Sequence, residues 1–187
     1  MSLPPTNVLD GLDWPVKTDR LILRRAVSSD ADAVFEYRSL EAVGRWLTVI
    51  ETDPGRWAQH WPKRMPTTVV AESEDELIGD LRLVIRDAQA QGEVVDQARG
   101  VEAELMWAFH PDHHGKGYAT EAVSALIELS FSVLGLRRLV AVCFAENEPS
   151  WRLMERVGMH REARHVQSTL HREGDWRDFL SYALLAP

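Results

Sequence analysis

Cysteine occurs once, at position 143, so no intramolecular disulfide can staple the chain, and a reducing compartment suits it. Long apolar runs are missing too: none approaches the ~18 residues that a bilayer demands. The start, Met1-Ser2-Leu3-Pro4-Pro5-Thr6, lacks a basic stretch followed by an apolar core. The expectation is a cytoplasmic protein that is neither exported nor inserted in a membrane. Basic residues are in short supply, with 21 Lys and Arg against 29 Asp and Glu and a formal charge of -8. That balance argues against wrapping a nucleic-acid backbone, which needs clustered Lys and Arg to displace counterions, and it suits a cationic partner better. No internal repeat and no low-complexity tract breaks the chain.

What remains is the make-up of one globular α/β domain: 187 residues, 45% hydrophobic and 27% charged, enough to bury a sizeable core. Residues 1–17, with Pro4, Pro5 and Pro15, read as an irregular arm, and the domain is expected over 18–187. Arg20-Leu21-Ile22-Leu23-Arg24 is a strand candidate. Ser28-Ser29-Asp30 then offers helix caps before Ala33, Val34 and Tyr37 at helical spacing. A second helix is predicted over 53–63, with Pro54 in its first turn and Trp57 and Trp61 on one face. A hairpin over 67–85 turns at Glu72 to Asp75, and the polar stretch 86–100 reads as a loop long enough to be mobile.

In the strand 101–109, Leu105, Trp107 and Phe109 alternate with Glu104, Met106 and Ala108, which makes one face core and opens the other with acids. Ala119, Ala122, Val123, Leu126, Ile127 and Leu134 form a helical stripe stopped by Gly135. A strand over 138–144, a helix over 147–157 ended by Gly158, and strands over 163–170 and 176–185 complete the order βα(α)βββαβαββ. Trp46, Trp57 and Trp61 read as core of the early helices, with an acceptor pocket formed by them and the loop 86–100 as the alternative.

Chemistry concentrates in His110-Pro111-Asp112-His113-His114-Gly115-Lys116-Gly117-Tyr118-Ala119-Thr120-Glu121, a strand end, a glycine-bearing turn and a helix start. Small residues there let backbone amides approach a phosphate, and the helix N-terminus adds its positive dipole end. A tight turn with no ligand is the alternative. A nucleotide P-loop is excluded, because Lys116 is followed by Gly117 and the place five before Gly115 is His110. His110, His113, His114 and Asp112 do not match metal-ligand spacing on a helical face, so no metal is expected.

His114-Gly115-Lys116-Gly117-Tyr118-Ala119 is similar to the Q/R-x-x-G-x-G/A pyrophosphate loop of the GNAT acyltransferase superfamily, with His in place of the first Gln or Arg. Three further segments resemble the RimJ/RimL-like branch, the ribosomal-protein N-terminal acetyltransferases, in the right order. They are Thr18-Asp19-Arg20-Leu21-Ile22-Leu23-Arg24, the helix segment from Asn147 and Ser150 to Gly158-Met159, and Gly174-Asp175-Trp176-Arg177-Asp178 followed by Tyr182 and Leu184. The resemblance covers about residues 18–185.

It implies a single GNAT-like domain, α/β (α+β), whose central, mostly antiparallel mixed sheet has splayed strands and flanking helices. It also implies an acetyl-CoA cleft between the strands of Trp107 and Val142. Pantetheine would pair with main chain at Trp107, Ala108 and Phe109. The pyrophosphate would sit on the segment His114, Gly115, Lys116, Gly117, Tyr118, Ala119 and Thr120, and Asn147 would hold the donor from the far side, a role compatible with capping its helix. Glu104 is the candidate general base, with Glu102 as runner-up. Ser150 is the nearest hydroxyl for the departing sulfur, since the tyrosine common among relatives is Met154 here. Cys143 reads as a buried small hydrophobe.

The implied activity is acetyl transfer from acetyl-CoA to a primary amine by direct attack. The acceptor would be a small cationic molecule or a peptide or protein N-terminus, with no nucleic acid or membrane partner, and the protein a monomer or homodimer. The alternative is an inactive acyl-CoA-binding sensor or interaction module.

Overall fold

The computed structural model describes residues 8–187; the first seven residues of the expected N-terminal arm lie outside the described residues. Eight strands form one mixed sheet in the order β1-β2-β3-β4-β5-β6-β8-β7, flanked by helices, as the α/β reading expects. Two compact units can be separated: one runs to Leu83 and takes in Trp107–Leu134, the other comprises Val84–Met106 and Gly135–Pro187.

In the first unit, β1 (Val16–Lys17), β2 (Ile22–Arg25), β3 (Thr68–Ser73) and the start of β4 (Glu76–Arg86) pair antiparallel in chain order. A 3-10 turn over Val8–Gly11 precedes β1, so the described part of the arm carries short elements. Glu74 and Asp75 both have positive φ (51° and 65°) and close the hairpin between Ser73 and Glu76, the two-residue geometry whose twist matches its strands. The alternation of Val69, Leu81 and their neighbours does not leave a wet face here. β3 is buried at five of its six positions because helices cover it.

Those helices are α1 (Ala31–Arg38), α2 (Glu41–Gly44) and α3 (Pro54–Arg64). Asp53 caps α3 by accepting from the Arg56 amide at 2.7 Å, with Pro54 at the first helical position, where its missing N–H costs nothing. Trp57 and Trp61 fall on one face and are buried with Val34, Tyr37, Val70 and Ala108. Their indole nitrogens donate to Ala31 O (2.7 Å) and Val27 O (3.2 Å), so each large ring is buried without an orphaned donor. Trp57 and Trp61 are core, whereas Trp46, expected with them, is half-buried outside that cluster and carries the Arg45 guanidinium 4.8 Å over its ring. α4 (Tyr118–Ser132) buries Ala122, Val123, Leu126, Ile127 and Ser130, the last satisfying its hydroxyl on Leu126 O at 2.6 Å.

One ion cluster lies inside this unit. Asp80 of β4 is fully buried and accepts from the Tyr37 hydroxyl (2.6 Å), from Arg38 Nε and Nη2 (2.6 and 2.8 Å) and from Arg64 Nη2 (3.1 Å). Burial alone would raise the Asp80 pKa, but the two guanidiniums overcome it and hold the carboxyl down to about 2.

In the second unit, β5 (Glu102–Phe109) pairs parallel with β6 (Arg138–Phe144), β6 pairs antiparallel with β8 (Trp176–Leu185), and β8 with β7 (His160–Leu170). α5 (Glu148–Arg156) joins β6 to β7. Two details differ from the sequence reading. The stretch 86–100 is folded rather than open: it holds a 3-10 segment over Gly92–Ala98, tied by Ala88 N to Ala98 O (2.7 Å) and Gly100 N to Asp87 Oδ1 (2.8 Å). β7 begins at His160, three residues before the expected 163, because buried Met159 ends the turn after α5 and His160 pairs at once with Ala183.

The buried cluster yields a prediction. Asp80→Asn preserves shape but leaves Arg38 and Arg64 without their counter-charge, which should cost about 3–5 kcal/mol in urea denaturation. In the parent protein the folded Asp80 pKa lies below its unfolded value. Its contribution is therefore complete above about pH 4 and lost as pH falls toward 2. A variant within 1 kcal/mol of the parent would contradict this role.

Candidate active site

The first unit supplies the glycine turn. After β5, Pro111–His113 form one 3-10 turn, and the chain then reaches α4 through Gly115 (φ +74°), Lys116 and Gly117 (φ +85°). Only glycine adopts such angles without a Cβ penalty, and a Cβ at Gly115 would project into open space. The first bond inside α4 runs from Glu121 N to Gly117 O (3.0 Å), so the amides of Tyr118 and Ala119 precede the helical ladder and face its N-terminal end.

Glu121 fixes this turn from within the helix. Its carboxylate accepts from Thr18 Oγ1 (2.5 Å), the Arg20 amide (2.8 Å) and Arg20 Nε (2.8 Å). Burial works against its charged form, but the bonds from Thr18 and Arg20 win and hold the carboxyl below its ordinary value. Arg20 in turn donates from Nη1 to Lys116 O at 2.8 Å and lies 4.7 Å over the Tyr118 ring. Nothing in the local sequence points to this link, because its partners are about a hundred residues apart; the only hint is an acid in the first turn of a helix.

Two histidines of the turn are held locally, and the third, His113, lies 3.4 Å from Glu76. His114 Nε2 lies 2.9 Å from Phe109 O, and His110 Nδ1 accepts from Asp112 N (3.2 Å). Trp107, Ala108 and Phe109 continue β5, but the alternation expected there ends at Met106: Ala108 is buried under the α1 and α3 core as Phe109 is on the other face, while Trp107 is half-buried.

The second unit carries the acids, Cys143, Ser150 and Asn147. The parallel ladder pairs Glu102, Ala103 and Glu104 with Arg138, Leu139 and Val140 and ends there among the described residues, although β6 runs on to Phe144. The main chain of β5 from Leu105 onward is thus not taken up by that ladder. Glu104 is half-buried and ion-paired with Arg86, whose own side chain is exposed. Glu102 is held by two guanidiniums, Arg137 Nη1 (3.1 Å) and Arg138 Nη1 (3.2 Å), and lines a depression of 490 Å³ with them and with Ala88, Val94 and Ala98. A carboxylate held by one exposed arginine is freed for proton transfer at lower cost than one held by two, which favours Glu104 over Glu102.

Asn147 occupies the N-cap position of α5 but makes no capping hydrogen bond with its side chain, which leaves its amide for another partner. The Ser150 hydroxyl acts on the Cys143 thiol to lower its pKa, and Met154 is buried. Burial pushes the Cys143 thiol up to about 11, only partly offset by Ser150. The one trio of ligand-type side chains close enough to hold a metal ion among the described residues is His171, Glu173 and Asp175. Arg177 already pairs with both acids.

Comparison with known proteins agrees with this geometry. The family model of the acetyltransferase (GNAT) domain matches residues 20–160. The chain is 30% identical to an uncharacterised N-acetyltransferase, YnaD of Bacillus subtilis, over 91% of this chain and 96% of the relative. It superposes on a GNAT-family acetyltransferase from Bacillus anthracis with a TM-score of 0.77, at 29% identity over 91% of this chain and 98% of that one. A more distant structure, Mycobacterium smegmatis RimJ in complex with CoA-disulfide, shares the fold with a TM-score of 0.69, at 23% identity over 89% of this chain and 82% of that one. This chain belongs to the GNAT acetyltransferase family.

The raised thiol pKa predicts slow chemistry at Cys143. Iodoacetamide should label it poorly at pH 7.5 in the native protein and faster as pH rises toward 11, because the thiolate is the reactive form. Labelling at the rate of a free thiol at neutral pH would contradict the burial described here.

Proposed function

We propose that the protein transfers an acetyl group from acetyl-CoA to a primary amine by direct attack, as a member of the RimJ/RimL-like branch. The glycine turn carries this reading. Two left-handed glycines at the start of α4, with Arg20 on the intervening carbonyl, leave the amides of Tyr118 and Ala119 ahead of the helical ladder, an arrangement suited to an anion. In this reading Gly115, Lys116, Gly117, Tyr118, Ala119 and Thr120 take the donor pyrophosphate, with His114 at the edge of the turn. Main chain at Trp107, Ala108 and Phe109 pairs with pantetheine, and the Asn147 amide holds it as well. The RimJ neighbour with bound CoA-disulfide supports the choice of donor.

Acetyl-CoA supplies the acetyl thioester. The acceptor must arrive as a neutral amine, and at pH 7 deprotonation costs about 1.4 kcal/mol for an α-amine of pKa near 8 but about 4.6 kcal/mol for a lysine. An α-amine, as on a peptide or protein N-terminus, therefore asks less of the base; a small cationic amine is the other acceptor class. Glu104 takes the amine proton, directly or through water, as Arg86 swings away. The new C–N bond forms as the C–S bond breaks, and Ser150 gives a proton to the departing sulfur, regaining one from solvent. In this reading the protein acts in the cytoplasm, as a monomer or homodimer.

The test is thiol release with acetyl-CoA and a panel of peptides and small amines. Glu104→Gln should lower kcat/KM by ~10² or more at neutral pH while acetyl-CoA affinity holds. Full activity of the variant from pH 6 to 9 would remove Glu104 from the reaction. Acetyl-CoA binding with no thiol release for any amine would establish a sensor instead.

A further inference from the structure

The ion cluster around Asp80 carries more positive charge than its fold needs. Arg38, Arg64 and Arg82 act on one another and on one carboxylate, while Tyr37 stays neutral because burial and Asp80 raise its pKa. Three positive charges against one negative leave two. Asp80 has no bonds to spare: Oδ1 accepts from Tyr37 and Arg38, and Oδ2 from Arg38 and Arg64. Arg82, two residues along β4 and so on the same face as Asp80, is bonded through Nε and Nη2 to the Thr67 hydroxyl (3.2 and 3.1 Å). Arg64 Nε is buried and has no hydrogen-bond partner among the described residues. Burial, and then repulsion from Arg38, pull the Arg64 guanidinium down to about 10.

Partly buried guanidiniums in excess are costly unless something supplies the missing charge. Arg38 is sealed, but Arg64, Thr67 and Arg82 each keep some exposure, so an anion can reach the outer pair. The cluster also adjoins the donor strand within the same unit. The Tyr37 ring lies 6.1 Å from that of His110, and Tyr37 shares its buried neighbours with Ala108.

We infer that Arg64 and Arg82, with Thr67, bind a carboxylate on the acceptor, so that the substrate class is an amine that also carries a carboxylate. This rests on the acetyl-transfer reading above and narrows it: a polyamine brings more positive charge to a site already in excess, whereas a zwitterion or short peptide neutralises it.

Two measurements test this. With CoA bound and ionic strength constant, malonate should raise the thermal midpoint saturably, Arg82→Gln should abolish the effect, and Arg56→Gln, an exposed arginine on the same helix as Arg64, should keep it. In turnover, a dipeptide with a free carboxylate should exceed its C-terminal amide by at least ~10-fold in kcat/KM, and Arg82→Gln should erase that preference. Stabilisation by phosphate but not malonate, a malonate effect untouched by Arg82→Gln, or equal or better turnover of the amide or of a polyamine would each overturn the assignment. If CoA fails to bind, the transfer reading fails separately, and malonate binding to the free protein still decides the anion site.

Discussion

Everything proposed for the donor depends on the carboxylate of Glu121. It sits in the first turn of α4, where the helix dipole favours a negative charge, and it gathers Thr18 and Arg20 from the start of the sheet. Arg20 then reaches the carbonyl of Lys116, between the two left-handed glycines. A glycine turn is intrinsically loose, since each glycine has more backbone freedom to lose than any other residue. Here that freedom is removed by contacts inside the protein, so a ligand meeting the amides does not bear the ordering cost.

The acids of the chain divide by environment. Asp80 and Glu121 are kept charged by several donors each and serve structure, Asp80 binding α1, α3 and β4 together and Glu121 fixing the turn. Glu104 differs because its partner, Arg86, stands on an exposed side chain. The net charge of -8 therefore says little about local fields, since the balance among Asp80, Arg38, Arg64 and Arg82 is positive.

Elements with a clear period were legible in the sequence. The stripe of α4, the paired Trp57 and Trp61, the hairpin turn before β4 and the glycines at 115 and 117 all express local rules of spacing and sterics. The misses have physical reasons. β7 is exposed at nearly every position on both faces, so its first residues carry no apolar alternation to mark them as strand. The 3-10 segment in 92–98 is polar and held by main-chain and Asp87 bonds that composition does not show. Ala108 breaks the face rule of β5 because the tryptophans of α3 cover it. The link from Arg20 to Glu121 and the cluster at Asp80 join residues 16 to 101 positions apart, beyond any local pattern.

Amide hydrogen exchange with and without acetyl-CoA tests the central claim most directly, because it reads the turn without requiring an acceptor. Bound acetyl-CoA should slow exchange at residues 115–119 and along 105–109, where the turn precedes the α4 ladder and β5 runs past the end of its ladder with β6. Protection confined to other segments, or no protection at saturating acetyl-CoA, would contradict the account.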